Sequence, residues 1–294
     1  MNGPDAPPES VAAVSGSVSN IRVLSHRVLQ NTLRNFSQWI SFIAVQPPKH
    51  VLRPTLPAIA AAGAGIYVIV MSMFFVDAAG TAWARNLPQG VRDAFEHITN
   101  FGLSGWFLFP FGFVLLALAA LISPKLPRIA RGVLTALAVR FGFLFLAVGL
   151  PGLFATIVKR LIGRSRPFVG GVDDPFAYMP FIWRPEYAAM PSGHSTTAVA
   201  AAIAIGALWP RIRSVMWVYA LTIMLSRVIV LAHHPSDAIA GALVGAAGAL
   251  MMRRGFAARR LLFRPRDLRV FPGPSWRRIG LAVRQGLVAL TASA

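Results

Sequence analysis

Apolar residues along this chain gather into six blocks, roughly 56–76, 104–122, 133–157, 193–209, 214–232 and 236–252, with most of the charge in the stretches between them. A helix needs about 20 apolar residues to cross the hydrocarbon of a bilayer. The first, second, third and fifth blocks reach or approach that length. The fourth and sixth are shorter and rich in Ala and Gly, which suits helices packed inside a bundle, where small side chains let backbones approach. The pattern predicts an all-α, six-transmembrane helix bundle over residues 54–252. Outside it the pattern changes. Residues 1–20 are polar and rich in Pro and Ser, a composition that predicts disorder. Over 21–53, Ile21, Leu24, Val28, Phe36, Trp39, Ile40 and Ile43 recur near helical spacing with Arg22, Arg27 and Arg34 between them. That predicts an amphipathic helix on the membrane face, or equally one docked on the rest of the protein. Val91, Phe95 and Ile98 predict a short amphipathic helix between the first two blocks.

Composition agrees: 55% of the 294 residues are hydrophobic and 13% charged, too few polar groups to coat a soluble globule. The net charge of +19 would suit nucleic acid, but no recognition motif accompanies it. Its distribution points to a membrane instead. Lys125, Arg128 and Arg131 follow block two, Arg211 and Arg213 follow block four, and Arg253, Arg254, Arg259, Arg260, Arg264, Arg266 and Arg269 follow block six. With six spans these segments and both termini share one side, which the positive-inside rule makes cytoplasmic. Residues 253–294 then form a basic cytoplasmic tail suited to anionic lipid headgroups. There is no cysteine, and hence no disulfide or thiolate chemistry.

The longest outward connection, about 158–192, breaks the charge rule with Lys159, Arg160, Arg164 and Arg166 in its first nine positions, so something other than topology keeps them there. Three clusters fall at this membrane face. They are Lys159 with Arg166-Pro167, six residues intervening; Pro191-Ser192-Gly193-His194, opening block four; and Ser226-Arg227 with His233 and Asp237, between blocks five and six. Together they offer three cations, a hydroxyl, a glycine at a helix start, histidines and a carboxylate. That inventory suits a tetrahedral oxyanion, because guanidinium forks bind phosphate and helix N-termini present free N–H groups. Several other residues have plainer readings. Arg140 snorkels toward the cytoplasmic end of block three, and Phe176, Tyr178, Phe181 and Trp183 are interfacial anchors near the substrate entrance. Asp173 and Asp174 are adjacent carboxylates, weak as a metal site, and His26, His50 and His97 lie outside the clusters.

K-x6-RP, PSGH and SR-x5-H-x3-D, matched here by Lys159…Arg166-Pro167, Pro191–His194 and Ser226-Arg227…His233…Asp237, resemble the three signatures of the type-2 phosphatidic acid phosphatase (PAP2) family of membrane phosphatases. The resemblance implies metal-independent hydrolysis of a lipid phosphate or diphosphate, without a cofactor, at the outer face of the bacterial inner membrane. It casts His233 as nucleophile forming a phosphohistidine, Asp237 as the residue orienting it, and His194 as general acid and base. Lys159, Arg166, Ser192, Gly193 and Arg227 would hold the phosphate. The lipids it suggests are phosphatidic acid, undecaprenyl diphosphate, phosphatidylglycerol phosphate and lipid A. A phosphotransferase differs only in its acceptor, and a non-enzymatic anion transporter would have no use for His233. Soluble vanadate-dependent haloperoxidases share the signature, but six spans argue against that reading.

Helical phase does not choose between His233 and His234, since Asp237 lies four residues after one and three after the other. Pro235 disfavours helix at His234, which is therefore expected to splay away as the chain turns. Many relatives place an aromatic residue there, which suggests a packing position for His234. Pro235-Ser236-Asp237 reads as a helix start with Asp237 near its cap.

Overall fold

The computed structural model describes the backbone of residues 9–44 and 55–291, and the side chains of 21–41 and 55–291. Ten α-helices occur among these residues: α1 Glu9–Ala44, α2 Leu56–Phe75, α3 Asp77–Arg85, α4 Gln89–Thr99, α5 Gly105–Leu121, α6 Arg128–Ile162, α7 Gly193–Leu208, α8 Arg213–Ile229, α9 Pro235–Ala258 and α10 Trp276–Thr291. No strand occurs among them, so the all-α reading is met. Five helical stretches are long and apolar enough to cross a membrane: Leu56–Phe75, Gln89–Leu121, Arg128–Ile162, Pro210–Ile229 and Pro235–Ala258. The fourth block is represented by α7, whose 16 residues fall short of that length.

Several boundaries differ from the sequence reading. Part of the expected disordered stretch is helical, since α1 begins at Glu9; the prolines end at Pro8 and nothing after them obstructs a helix. Residues 45–54, the end of the expected interfacial segment, lie outside the described residues. Helix α6 extends to Ile162, so Lys159 and Arg160 occupy its last turn instead of the loop. Hydropathy ends where charge begins, but helical hydrogen bonding does not. Residues 77–85 form a helix that no apolar period announced, and the basic tail contains α10.

The chain divides into two compact units, Met1–Gln46 with Phe113–Arg140 and Pro272–Ala294, and Pro47–Gly112 with Phe141–Phe271. In the first, α1 turns a polar row inward. Asn31 donates to the carbonyl of Ala120 at 3.0 Å, Arg34 to Ile122 at 2.9 Å, and Asn35 to Ala119 and Ile122 at 2.8 and 2.7 Å. These carbonyls close α5, where a helix has no partners of its own to offer. Ile21, Leu29, Leu33 and Ile40 remain exposed on α1.

In the second unit, α7 packs most extensively on α9 and α8. A Cβ at Gly241 would overlap the Ser192 carbonyl, and one at Gly245 the Thr196 carbonyl, so these glycines of α9 let the two backbones meet. Ala198, Val199 and Ala202 of α7 close against Ala220 and Ile223 of α8. Lipid tails are as apolar as the side chains, so this close contact, and not exclusion of water, holds such helices together.

Candidate active site

Four helices of the second unit bring the same end of the bundle to the signature residues. Lys159 lies in the last turn of α6, Ser192 caps the start of α7, Arg227 lies in the last turn of α8, and Asp237 is the third residue of α9. The Ser192 N–H donates to the Asp237 carbonyl at 3.0 Å, which ties the PSGH turn to the start of α9. The Ser192 hydroxyl accepts from the Ser195 N–H at 3.5 Å, a long capping bond. A Cβ on Gly193 would stand 3.1 Å from Lys159 Nζ, so the missing side chain leaves room for the ammonium over the α7 N-terminus. His194, opposite Gly102, lies within electrostatic range of Arg227, His233, Lys159 and Arg166.

The cations of this cluster stand close together. Among the described residues neither Lys159, Arg166 nor Arg227 forms an ion pair. Arg227, 7% exposed, donates through Nη1 to Thr99 Oγ1 at 2.7 Å, while its Nε is buried without a partner. Ser226 also contacts Thr99, at 3.0 Å. Arg166 Nε is likewise buried and unpartnered. Burial, only partly offset by Glu186, lowers the Arg166 pKa. Withdrawing an unpaired charge from water costs several kcal/mol, roughly, even after relaxation. Three cations converge here, one buried and two half-buried, so positive charge concentrates at this end of the bundle.

Beside it, α8 ends at Ile229 and the chain turns through Leu231 at φ 54°, with the amides of Ala232 and His233 both donating to the Arg227 carbonyl at 3.1 Å. His233 is buried, its Nδ1 3.7 Å from Asp237 Oδ2, too long for a hydrogen bond, and its Nε2 bonds no described residue. Burial pulls the His233 pKa down to about 4, against the opposing pull of Asp237, which leaves the ring neutral at pH 7.

His234 does not splay away. It caps α9 in extended conformation, its N–H donating to Asp237 Oδ2 at 2.9 Å, so the cap is His234, with Asp237 reaching back to it. Its Nδ1 stands 3.5 Å from the same oxygen and its Nε2 3.0 Å from Asp173 Oδ1. Burial disfavours the charged ring, but Asp237 and Asp173 outweigh it and raise the His234 pKa. The position holds a polar contact as well as packing. Asp173 also accepts from Thr81 Oγ1, and Asp174 caps its own turn through the Phe176 N–H at 2.9 Å, so the adjacent carboxylates diverge.

Sequence reasoning missed three partners. Arg164, fully buried, joins Asp237 Oδ1 at 2.6 Å and Asp77 Oδ2 at 2.7 Å. Its place among the misplaced cations was one signal, and an acid closing the first apolar block was another. Thr99 gave none.

A helical bundle with five stretches long and apolar enough to cross a membrane gathers a buried Arg227 and half-buried Lys159 and Arg166 around two histidines. Residues 140–261 match the PAP2 superfamily. The lipid A 1-phosphatase of Rhizobium johnstonii is 36% identical over 198 residues, covering 67% of this chain and 80% of that protein. The lipid A 1-phosphatase of Rhizobium etli is 35% identical over 215 residues, covering 70% and 91%. No solved structure matches. The chain belongs to the PAP2 superfamily and is a phosphatase, a phosphoric monoester hydrolase.

Proposed function

We propose that the protein removes the 1-phosphate of lipid A at the outer face of the bacterial inner membrane, through a phosphohistidine on His233. The observation that carries the mechanism is the set of three cations, Lys159, Arg166 and Arg227, which form no ion pair among the described residues, beside a neutral, buried His233. In the first step His233 Nε2 attacks phosphorus, the bond from phosphorus to the lipid oxygen breaks, and His194 gives that oxygen its proton. In the second, His194 takes a proton from water, the oxygen attacks, and the N–P bond breaks to release phosphate. Asp237, facing the far side of the His233 ring at 3.7 Å, offsets the positive charge that forms on it. The three cations, the Gly193 N–H and Ser192 stabilise the equatorial oxygens as charge moves through them. The nearby carboxylates Asp77, Asp173 and Asp237 are engaged by Arg164, Ser236, Thr81 and His234, so the cations of the cradle serve where another phosphatase would use a metal.

The choice of substrate rests on the two rhizobial relatives, and the exposed Phe176, Phe181 and Trp183 of the 163–192 loop suit acyl chains arriving within the bilayer. We place six spans in the membrane, with α7 as the short interior one and both termini cytoplasmic. The basic tail then meets anionic headgroups. A cavity of about 390 Å³ between Lys125, Arg284 and apolar Leu281 and Val288, and another of about 520 Å³ beside Arg260, Arg264 and Arg266, fit that role.

Phosphate release from lipid A, phosphatidic acid, phosphatidylglycerol phosphate and undecaprenyl diphosphate, measured with EDTA present, tests both parts. Lipid A is expected to be the best substrate and His233→Ala to be inactive on all four. Full release by His233→Ala would refute the mechanism, and preference for another lipid would refute the substrate.

A further inference from the structure

The Asp237 carboxylate, which the proposed reaction places against His233, is itself held from behind by groups outside the phosphate cradle. Arg164 is completely buried and spends its donors on three sides: Nε to the Pro175 carbonyl at 2.9 Å, Nη1 to Ser236 Oγ and Asp237 Oδ1 at 2.6 Å each, and Nη2 to Asp77 Oδ2 at 2.7 Å. Asp77, also buried, accepts from the Ser236 N–H at 2.8 Å and from its hydroxyl at 2.6 Å. One oxygen of Asp237 therefore belongs to Arg164. The other is fixed by the His234 N–H and turns its remaining lone pair toward the two imidazoles.

The charges matter as much as the distances. Arg164 paired with Asp237 alone would be neutral, and Asp237 would lose most of its pull on the His233 ring. Asp77 supplies a second negative charge to the same guanidinium, so the buried trio of Asp77, Arg164 and Asp237 carries one net negative charge.

We infer that Asp77 and Arg164 are positioning residues for the phosphatase reaction. Arg164 fixes the rotamer of Asp237, and Asp77 returns the negative charge that Arg164 would otherwise cancel at His233. The inference rests on His233 being the nucleophile. It assigns a catalytic purpose to α3, a nine-residue helix outside every signature that begins at Asp77. It also explains why Arg164, unlike the neighbouring cations, is fully neutralised.

The test compares purified full-length Asp77→Asn and Arg164→Gln with the parent, following phosphate release from lipid A across pH and separating kcat from KM. The groups facing His233 are Asp237 and His234 on its own turn, Arg227 from α8, Arg166 from the 163–192 loop and His194 from α7. None of these residues is itself substituted in either variant. Asp77→Asn keeps the shape of the side chain and removes its charge. It is expected to leave KM within about threefold and to lower kcat about tenfold to a hundredfold, as when the partner of a metal-bound histidine is lost. The acid limb of kcat/KM should move to lower pH, because Arg164 is left undercompensated near the ring. Arg164→Gln should move it to higher pH, because two carboxylates then act unopposed. A purely structural role would lower melting temperature and active fraction without displacing either limb. Limbs that stay in place, or move together, overturn the inference, as does parental kcat in Asp77→Asn. If Arg164→Gln does not fold, Asp77→Asn decides alone, by its kcat and its limb. Parental activity in His233→Ala would instead overturn the underlying reading, whatever Asp77→Asn does.

Discussion

His233 and His234 are neighbours in one turn, yet their rings have opposite proton affinities because different groups surround them. Burial beside the cations Arg227 and Arg166 keeps the His233 ring neutral, with a pKa of about 4, whereas Asp237 and Asp173 favour the charged form of His234. A nucleophilic imidazole must be neutral at the attacking nitrogen, and His234 Nε2 is occupied by Asp173. His233→Ala is therefore expected to lose at least about a thousandfold in kcat, the scale on which a nucleophile fails. His234→Phe, which keeps the backbone N–H to Asp237 but leaves Asp173 without its ring partner, is expected to lose no more than about tenfold. Equal collapse of the two variants in the same assay would contradict the assignment. The pH dependence follows with its sign. The neutral form of His233 is the reactive one, so kcat/KM should rise as pH increases through about 4 and be insensitive to this group near neutrality. An acid limb near pH 6.5, the ordinary histidine value, would show that the ring is not buried as described.

Among the elements, the contact between α7 and α9 positions most of the site. Its helices were readable as apolar blocks, but the reason they touch lies in single glycines. Gly241→Ala would push a methyl group into the Ser192 carbonyl, shifting the turn that carries Ser192, Gly193 and His194. Overpacking of this kind costs about 1–3 kcal/mol, so both melting temperature and kcat should fall. Gly132→Ala, where a Cβ meets nothing within 4 Å, serves as the control and should change neither. The spacing of apolar positions exposed the long helices because their lipid-facing sides must be continuous. It missed α3, whose sequence DAAGTAWAR shows no apolar face, and it stopped α6 short at Lys159. The signature residues were legible because they sit at helix ends or in the turns beside them, with a fixed local spacing. Asp77 and Thr99 were not, since their partners Ser236 and Arg227 lie 159 and 128 residues away and only folding joins them.

On the scale of the whole molecule, a cluster of cations with no ion pair among the described residues is an energetic liability that a bound anion would relieve. Orthovanadate, which imitates the geometry of phosphorus under attack, should therefore stabilise the folded protein, by about 2.7 kcal/mol at a hundred times its Kd. Arg227→Ala and Arg166→Ala should each remove most of that gain in a thermal-unfolding titration, whereas a gain kept in both variants would place the anion elsewhere. Membership of the PAP2 superfamily and the two rhizobial relatives define the kind of reaction. What separates this account from any other phosphate-binding membrane bundle is the covalent step at His233. The most direct measurement is rapid quenching into alkali during turnover of lipid A labelled with ³²P at its 1-phosphate, followed by peptide mapping. An acid-labile label is expected on the peptide containing His233, formed and discharged within a turnover and missing from His233→Ala. Phosphate release at the parental rate with no label on that peptide, or with the label on another residue, would contradict it.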